Sequence, residues 1–156
     1  MGIEIVALEA SLVAKASRMV SGYLFSSSNG TDEPAVTPEL AQSCVPLLER
    51  LLSSGLAELY MAVQDGQHIG FMLLSWSFSM SKGRPVLRVE ALYTSPDYRN
   101  QGIGKKLLQY AVGLARTKQA VRLQLETDET NVPARVLYED LGFEKIEGKG
   151  VYMLFL

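Results

Sequence analysis

A chain of 156 residues, 47% hydrophobic and 21% charged, has room for one substantial core and falls in the ordinary globular range. A formal net charge of -2 excludes the global basic field of a general nucleic-acid binder, so no nucleic-acid partner is expected, and only a local basic site remains open. Cys44 is the only cysteine and His68 the only histidine, which excludes a disulfide framework, nearly every familiar zinc arrangement and a triad needing a second histidine; no metal is expected.

The first residues, Met1-Gly2-Ile3-Glu4-Ile5-Val6, lack the basic start and apolar run of a signal peptide. No stretch approaches the ~20 apolar residues that span a bilayer, so the expectation is a cytoplasmic protein with no membrane partner. Ile3 to Val6 reads as a short strand. From Glu9 to Phe25 apolar residues recur at three- and four-residue steps, which predicts an amphipathic helix. Ser26 to Pro38 is rich in Ser, Gly, Thr and Pro and reads as a loop, closed by a helix start at Thr37-Pro38-Glu39. That helix should run to about Ser53 and stop at Gly55, with Cys44 as a core residue rather than a nucleophile. Alternation from Glu58 to Val63 predicts a strand, Asp65-Gly66 a turn and Ile69 to Phe78 the returning strand, with His68 a solvated loop residue. Val86 to Thr94 is a third strand of this antiparallel set.

Beyond Ser95 the period changes. Ile103, Leu107, Leu108, Ala111 and Ala115 mark a helix ending near Lys118, and Val121 to Glu126 alternates as a strand. Pro133 opens a helix with Ala134, Leu137, Tyr138 and Leu141 on one face, and Gly142 is its stop. Phe143 to Ile146 and Val151 to Phe155 read as two closing strands, the second buried. Exchange of that last strand between subunits would make a homodimer, the commonest closed assembly.

The most informative segment is Tyr98-Arg99-Asn100-Gln101-Gly102-Ile103-Gly104-Lys105-Lys106, between a strand end and a helix start. The first N–H groups of a helix have no internal acceptors and carry the positive end of its dipole, so main chain alone can bind a phosphate. Gly102 and Gly104 let a ligand approach the backbone, and Arg99, Lys105 and Lys106 add positive charge. The dinucleotide fingerprint fails for want of a third glycine at the required step. The phosphate-loop NTPase pattern fails because Lys106 stands where Ser or Thr is needed.

Arg99-Asn100-Gln101-Gly102-Ile103-Gly104 resembles the acetyl-CoA loop of the GNAT superfamily, Arg/Gln-x-x-Gly-x-Gly/Ala. Leu92 to Tyr98 resembles the family's strand and approach to that loop. Thr127 to Asn131 and Ala134 to Phe143 resemble its last helix, with the histone/polyamine acetyltransferase branch the nearest likeness. These motifs cover Val86 to Phe143. The resemblance implies a single-domain α/β (α+β) GNAT fold over residues 1–156, a mixed central sheet of about seven strands flanked by about four helices.

It also implies function: an N-acetyltransferase moving acetyl from acetyl-CoA to a primary amine in a ternary complex. Leu92, Tyr93 and Thr94 would lie along the pantetheine arm, with a backbone N–H near Leu92 donating to the thioester carbonyl. Arg99, Asn100, Gln101, Gly102, Ile103, Gly104 and Lys105 would hold the diphosphate, and Asn131 and Tyr138 would touch the cofactor from the last helix. Glu90 occupies the position of a family glutamate and would take the proton of an ammonium whose pKa is about 10. Strand alternation puts Arg88, Glu90 and Leu92 on one face. Tyr138 would protonate the departing thiolate.

Two structural alternatives stand beside these roles, an ion pair of Glu90 with Arg88 or a loop cation, and packing alone for Tyr138. Acceptor recognition falls to the first two helices and their connection, where Asp32, Glu33 and Glu39 would attract a cationic amine such as a polyamine or lysine side chain; amino acids, aminoglycoside-like compounds and protein N-termini stay open as acceptors. The rival functions are a non-catalytic acetyl-CoA sensor and a module for another nucleotide.

Overall fold

The computed structural model describes residues 2–25 and 36–156, in two compact units, Met1–Glu126 and Thr127–Leu156. In the first, β1 (Glu4–Ala7), β2 (Ala57–Gln64), β3 (Gln67–Ser79), β4 (Arg84–Thr94) and β5 (Arg122–Leu125) form one sheet in sequence order. The first four strands are antiparallel neighbours, and β5 runs parallel to β4. The β2–β3 reversal uses two residues, Asp65 and Gly66, both at positive φ (50° and 78°). Such a turn matches the twist of the flanking strands, and glycine adopts it without strain. Parallel pairing of β4 and β5 needs a crossover, and α4 (Ile103–Thr117) supplies it.

The sheet has apolar residues on both faces. On one, α1 (Val13–Leu24) packs Val13, Ala16, Met19 and Val20 against Leu59, Met61, Phe71 and Tyr93, and the Tyr23 ring meets Phe71 and Tyr93 edge-on. On the other, α4 packs against β2, β3 and β4, with Tyr110 against Tyr60. Ile103, Leu107, Leu108, Ala111 and Ala115, the stripe read from the sequence, are all buried. Burial of each large member contributes about 2 kcal/mol, which fixes where α4 begins.

The helix expected from Thr37 to Ser53 is two: α2 (Pro38–Ser43) and α3 (Val45–Ser54), broken at Cys44. Pro46 has no N–H to continue the ladder, and its ring clashes with a helical carbonyl four residues back. The ends are as expected: Thr37 Oγ1 accepts from the Leu40 N–H at 3.2 Å, and Gly55 closes α3 in the left-handed region. Cys44 is buried, as a core residue should be.

In the second unit, α5 (Val132–Asp140) carries Pro133 in its first turn and stops before Gly142, whose φ is 94°. Among the described residues the two closing strands are not assigned, and one sheet of five strands is found where about seven were expected. Val151 to Leu156 is exposed, Tyr152 at 97%. Apolar alternation is only half of a strand, and the other half is a hydrogen-bonded neighbour; residues 143–156 have none among the described residues. Among the described residues no helix is long and apolar enough to cross a membrane.

Candidate active site

At the mouth of α4 the chain leaves Thr94, makes a 3-10 turn over Pro96–Tyr98, and passes through Asn100 (φ 62°) and Gly102 (φ 79°) into the helix. The first intrahelical bond runs from the Lys106 N–H to the Gly102 carbonyl at 3.1 Å. The N–H groups of Ile103, Gly104 and Lys105 therefore have no acceptor within the helix. Gly102, the capping residue, has no side chain to satisfy them, and no acid stands in the first turn to oppose an anion. Lys105 and Lys106 are exposed beside them.

Arg99 and Gln101 brace this loop. Arg99 Nε donates to the Thr94 carbonyl at 3.0 Å with its guanidinium 5.8 Å from the Tyr93 ring centroid, and Gln101 Nε2 donates to the Asp97 carbonyl at 3.3 Å. Gly70 on β3 also positions the mouth, although sequence reasoning passed over it. A Cβ there would meet the Tyr93 carbonyl at 2.7 Å and Ile103 Cγ2 at 3.1 Å. The signal was available, since a lone glycine inside a strand pattern marks close backbone approach.

Along β4 the register with β3 skips a residue: Ala91 opposes Leu73, Val89 opposes Leu74, and Glu90 is extra. This bulge overturns the expectation that Glu90 and Leu92 share a face. Leu92 opposes Met72, on the α4 side, whereas Ala91 and Leu73 pack against the α1-side cluster. Glu90 turns to that α1 side, where Ser75 Oγ donates to its Oε1 at 2.6 Å and Arg88 Nε reaches the same oxygen at 3.3 Å. An unpaired extra residue of this kind bends a strand and re-aims its side chain. Pairing with β5 ends at Val89 and Leu125, so from Glu90 to Thr94 the other edge of β4 has no strand beside it among the described residues.

Arg88 also reaches Glu126 Oε1 through a terminal nitrogen at 3.3 Å. The sequence alternative of an Arg88–Glu90 ion pair is thus present, though at 29% and 40% side-chain exposure it adds little to stability. Glu126 and Ser75 were missed because neither lies near Glu90 in sequence.

In the second unit, Asn131 Oδ1 caps α5 by accepting from the Ala134 N–H at 3.3 Å. The Tyr138 ring lies 5.9 Å from that of Phe143, and burial pushes its phenol above the usual tyrosine value. The phenol is therefore protonated throughout the neutral range.

Of the acids suggested for the acceptor, Asp32 and Glu33 lie outside the described residues, and Glu39 is exposed in the first turn of α2, where a carboxylate suits the helix dipole. His68 is not a solvated loop residue. It is the second residue of β3, is half-buried against the Lys15 backbone, and burial lowers its pKa. A cavity of about 800 Å³ beside α1 is lined by Lys15, Arg18, His68, Tyr93, Asp97 and Tyr98, and neither Glu90 nor Gly102 borders it.

The chain as a whole is similar to known proteins. The family model for the acetyltransferase (GNAT) family matches residues 27–143. An uncharacterized N-acetyltransferase of Bacillus subtilis is 31% identical over 113 residues, covering 72% of this chain and 76% of its own. The thialysine N-epsilon-acetyltransferase of Bos taurus is 35% identical over 78 residues, 50% of this chain and 45% of that protein, so the match spans less than half of the bovine relative. The crystal structure of a probable acetyltransferase superposes with a TM-score of 0.75 at 27% identity, covering 100% of this chain and 98% of that one. The chain belongs to the acetyltransferase (GNAT) family, whose enzymes use acetyl-CoA as co-substrate.

Proposed function

We propose that residues 1–156 act as one N-acetyltransferase domain that transfers acetyl from acetyl-CoA to a primary amine, a lysine-like side chain or polyamine, by direct attack in a ternary complex. The match to residues 27–143 runs across the boundary between the two units and supports treating them as one functional domain. The observation that carries the reading is the layout of β4. Its open edge from Glu90 to Thr94 leads to the unsatisfied N–H groups at the mouth of α4. A pantetheine arm laid on that edge, past Leu92, Tyr93 and Thr94, would bring the thioester toward the bulge and the diphosphate to Gly102, Ile103, Gly104 and Lys105.

The amine nitrogen attacks the thioester carbonyl carbon, and backbone N–H near Leu92 stabilises the oxyanion. The acceptor's ammonium gives its proton to Glu90, directly or through water, before this attack, which frees the nitrogen lone pair. The carbon–sulfur bond then breaks, and Tyr138, kept protonated by burial, gives its proton to the coenzyme A thiolate. Asn131 adds a cofactor contact from α5. The similarity to the bovine thialysine N-epsilon-acetyltransferase supports a side-chain ε-amine as acceptor.

A non-catalytic acetyl-CoA sensor is the second reading, and the Arg88–Glu90 ion pair favours it, since a paired carboxylate is less available as a base. Thiol release from acetyl-CoA with a panel of lysine amides, polyamines and amino-terminal peptides decides between them. Turnover on at least one amine is expected. Calorimetric binding of acetyl-CoA without turnover on any would establish the sensor, and absence of binding heat would end both readings.

A further inference from the structure

We infer that Arg88 is a positioning residue for the transfer step: anchored on Glu126, it works with Ser75 to hold one oxygen of Glu90 and so presents the other to the acceptor. This rests on the reading of Glu90 as the base.

A glutamate on an open strand edge has several rotatable bonds, and fixing such a side chain costs rotamer entropy. The bulge turns Glu90 toward β3, where two donors from different strands converge on Oε1, Ser75 Oγ at 2.6 Å and Arg88 Nε at 3.3 Å. No hydrogen bond to Oε2 is found among the described residues. Arg88 is itself tied. Its second arm meets Glu126 at 3.3 Å, and Glu126 follows Leu125, the last residue of β5 paired with β4. One planar guanidinium thus bridges the first residue on each strand beyond the parallel ladder, at the start of the open edge. Lysine cannot reproduce this, because a compact ammonium lacks the fork that meets two carboxylates in one plane. Half-exposed ion pairs contribute little stability, so the consequence of the arrangement is geometric.

The test is a double-mutant cycle on the full chain with acetyl-CoA and Nα-acetyl-lysine methylamide. Arg88→Ala should lower kcat about tenfold in the presence of Glu90 and by less than about twofold in a Glu90→Gln background. KM for acetyl-CoA should hold in each variant, and Arg88→Lys should recover only part of the loss. Glu126→Gln and Ser75→Ala should give smaller losses that also vanish beside Glu90→Gln. An equal effect of Arg88→Ala in both backgrounds would overturn the inference and leave Arg88 a support for the strands. If Glu90→Gln alone leaves kcat unchanged, the base assignment and this inference fall together while cofactor binding stands. A wild-type chain inert toward this amine removes the lysine-like acceptor, and the inference with it.

Discussion

Two stretches of the first unit, the mouth of α4 and the bulge of β4, are built from opposite materials. At the mouth the chemistry is main chain: N–H groups left over by helix geometry, with Arg99 and Gln101 engaged in bracing the loop. At the bulge it is side chain: Glu90, with Ser75, Arg88 and Glu126 around it. A main-chain site tolerates changes of side chain but depends on backbone dihedrals. A side-chain site tolerates modest backbone adjustment but not the loss of one carboxylate. Cofactor binding and chemistry should therefore respond to different substitutions.

The largest expected effect is on the chemical side. Glu90→Gln should lower kcat on the order of 100-fold, the range for a lost general base, with acetyl-CoA affinity unchanged by calorimetry. If affinity fell with the rate, the division between the two stretches would be wrong. Tyr138→Phe should slow thiol release about tenfold in single-turnover measurements. Because burial raises the phenol, activity that depends on its proton should persist into the alkaline range and decline only above the ordinary tyrosine value of 10.0.

On the binding side, Gly102→Ala meets no atom within 4 Å, so its whole effect comes from holding φ at 79°. That dihedral disfavours an L-residue by about 1 kcal/mol. Acetyl-CoA affinity should weaken about fivefold while kcat at saturation holds; a fall in kcat with unchanged affinity would reverse the assignment.

His68 lies outside both stretches and serves as the control, with the smallest effect. Burial sets its folded pKa below 6.5, and the Lys15 ammonium lowers it while the Lys15 backbone contact opposes this. The unfolded chain therefore takes up the proton first as pH falls, so His68 destabilises the fold below about pH 6.5 and is neutral in this respect above it. His68→Gln should flatten the acid-side fall in melting temperature and leave kinetics at neutral pH unchanged.

Most strands and helices, and the α4 mouth, were legible because their signals are local. Glycine at a positive φ in Gly66, Gly102 and Gly142, proline at a helix start and the spacing of Ile103, Leu107 and Leu108 act within a turn or two of chain. Even the break at Cys44 follows from Pro46, two residues on. Glu90 was named from resemblance, but its surroundings were not readable.

By itself the sequence determined the order of the elements from β1 to α5 apart from the break at Cys44, the two apolar stripes that clothe the sheet, and a helix start with free N–H groups, since each depends on neighbours a few residues apart. Only the tertiary structure decided that β4 skips a residue at Glu90, that Leu92 faces the other way, that Ser75 meets this carboxylate from 15 residues before, and that its partner Arg88 is anchored on Glu126, 36 residues after Glu90. It also decided that Val151 to Leu156, apolar as it is, forms no strand. Period-two alternation assumes an unbroken ladder. Whether a ladder skips a residue or finds a partner is set by the strand opposite, which local sequence does not contain.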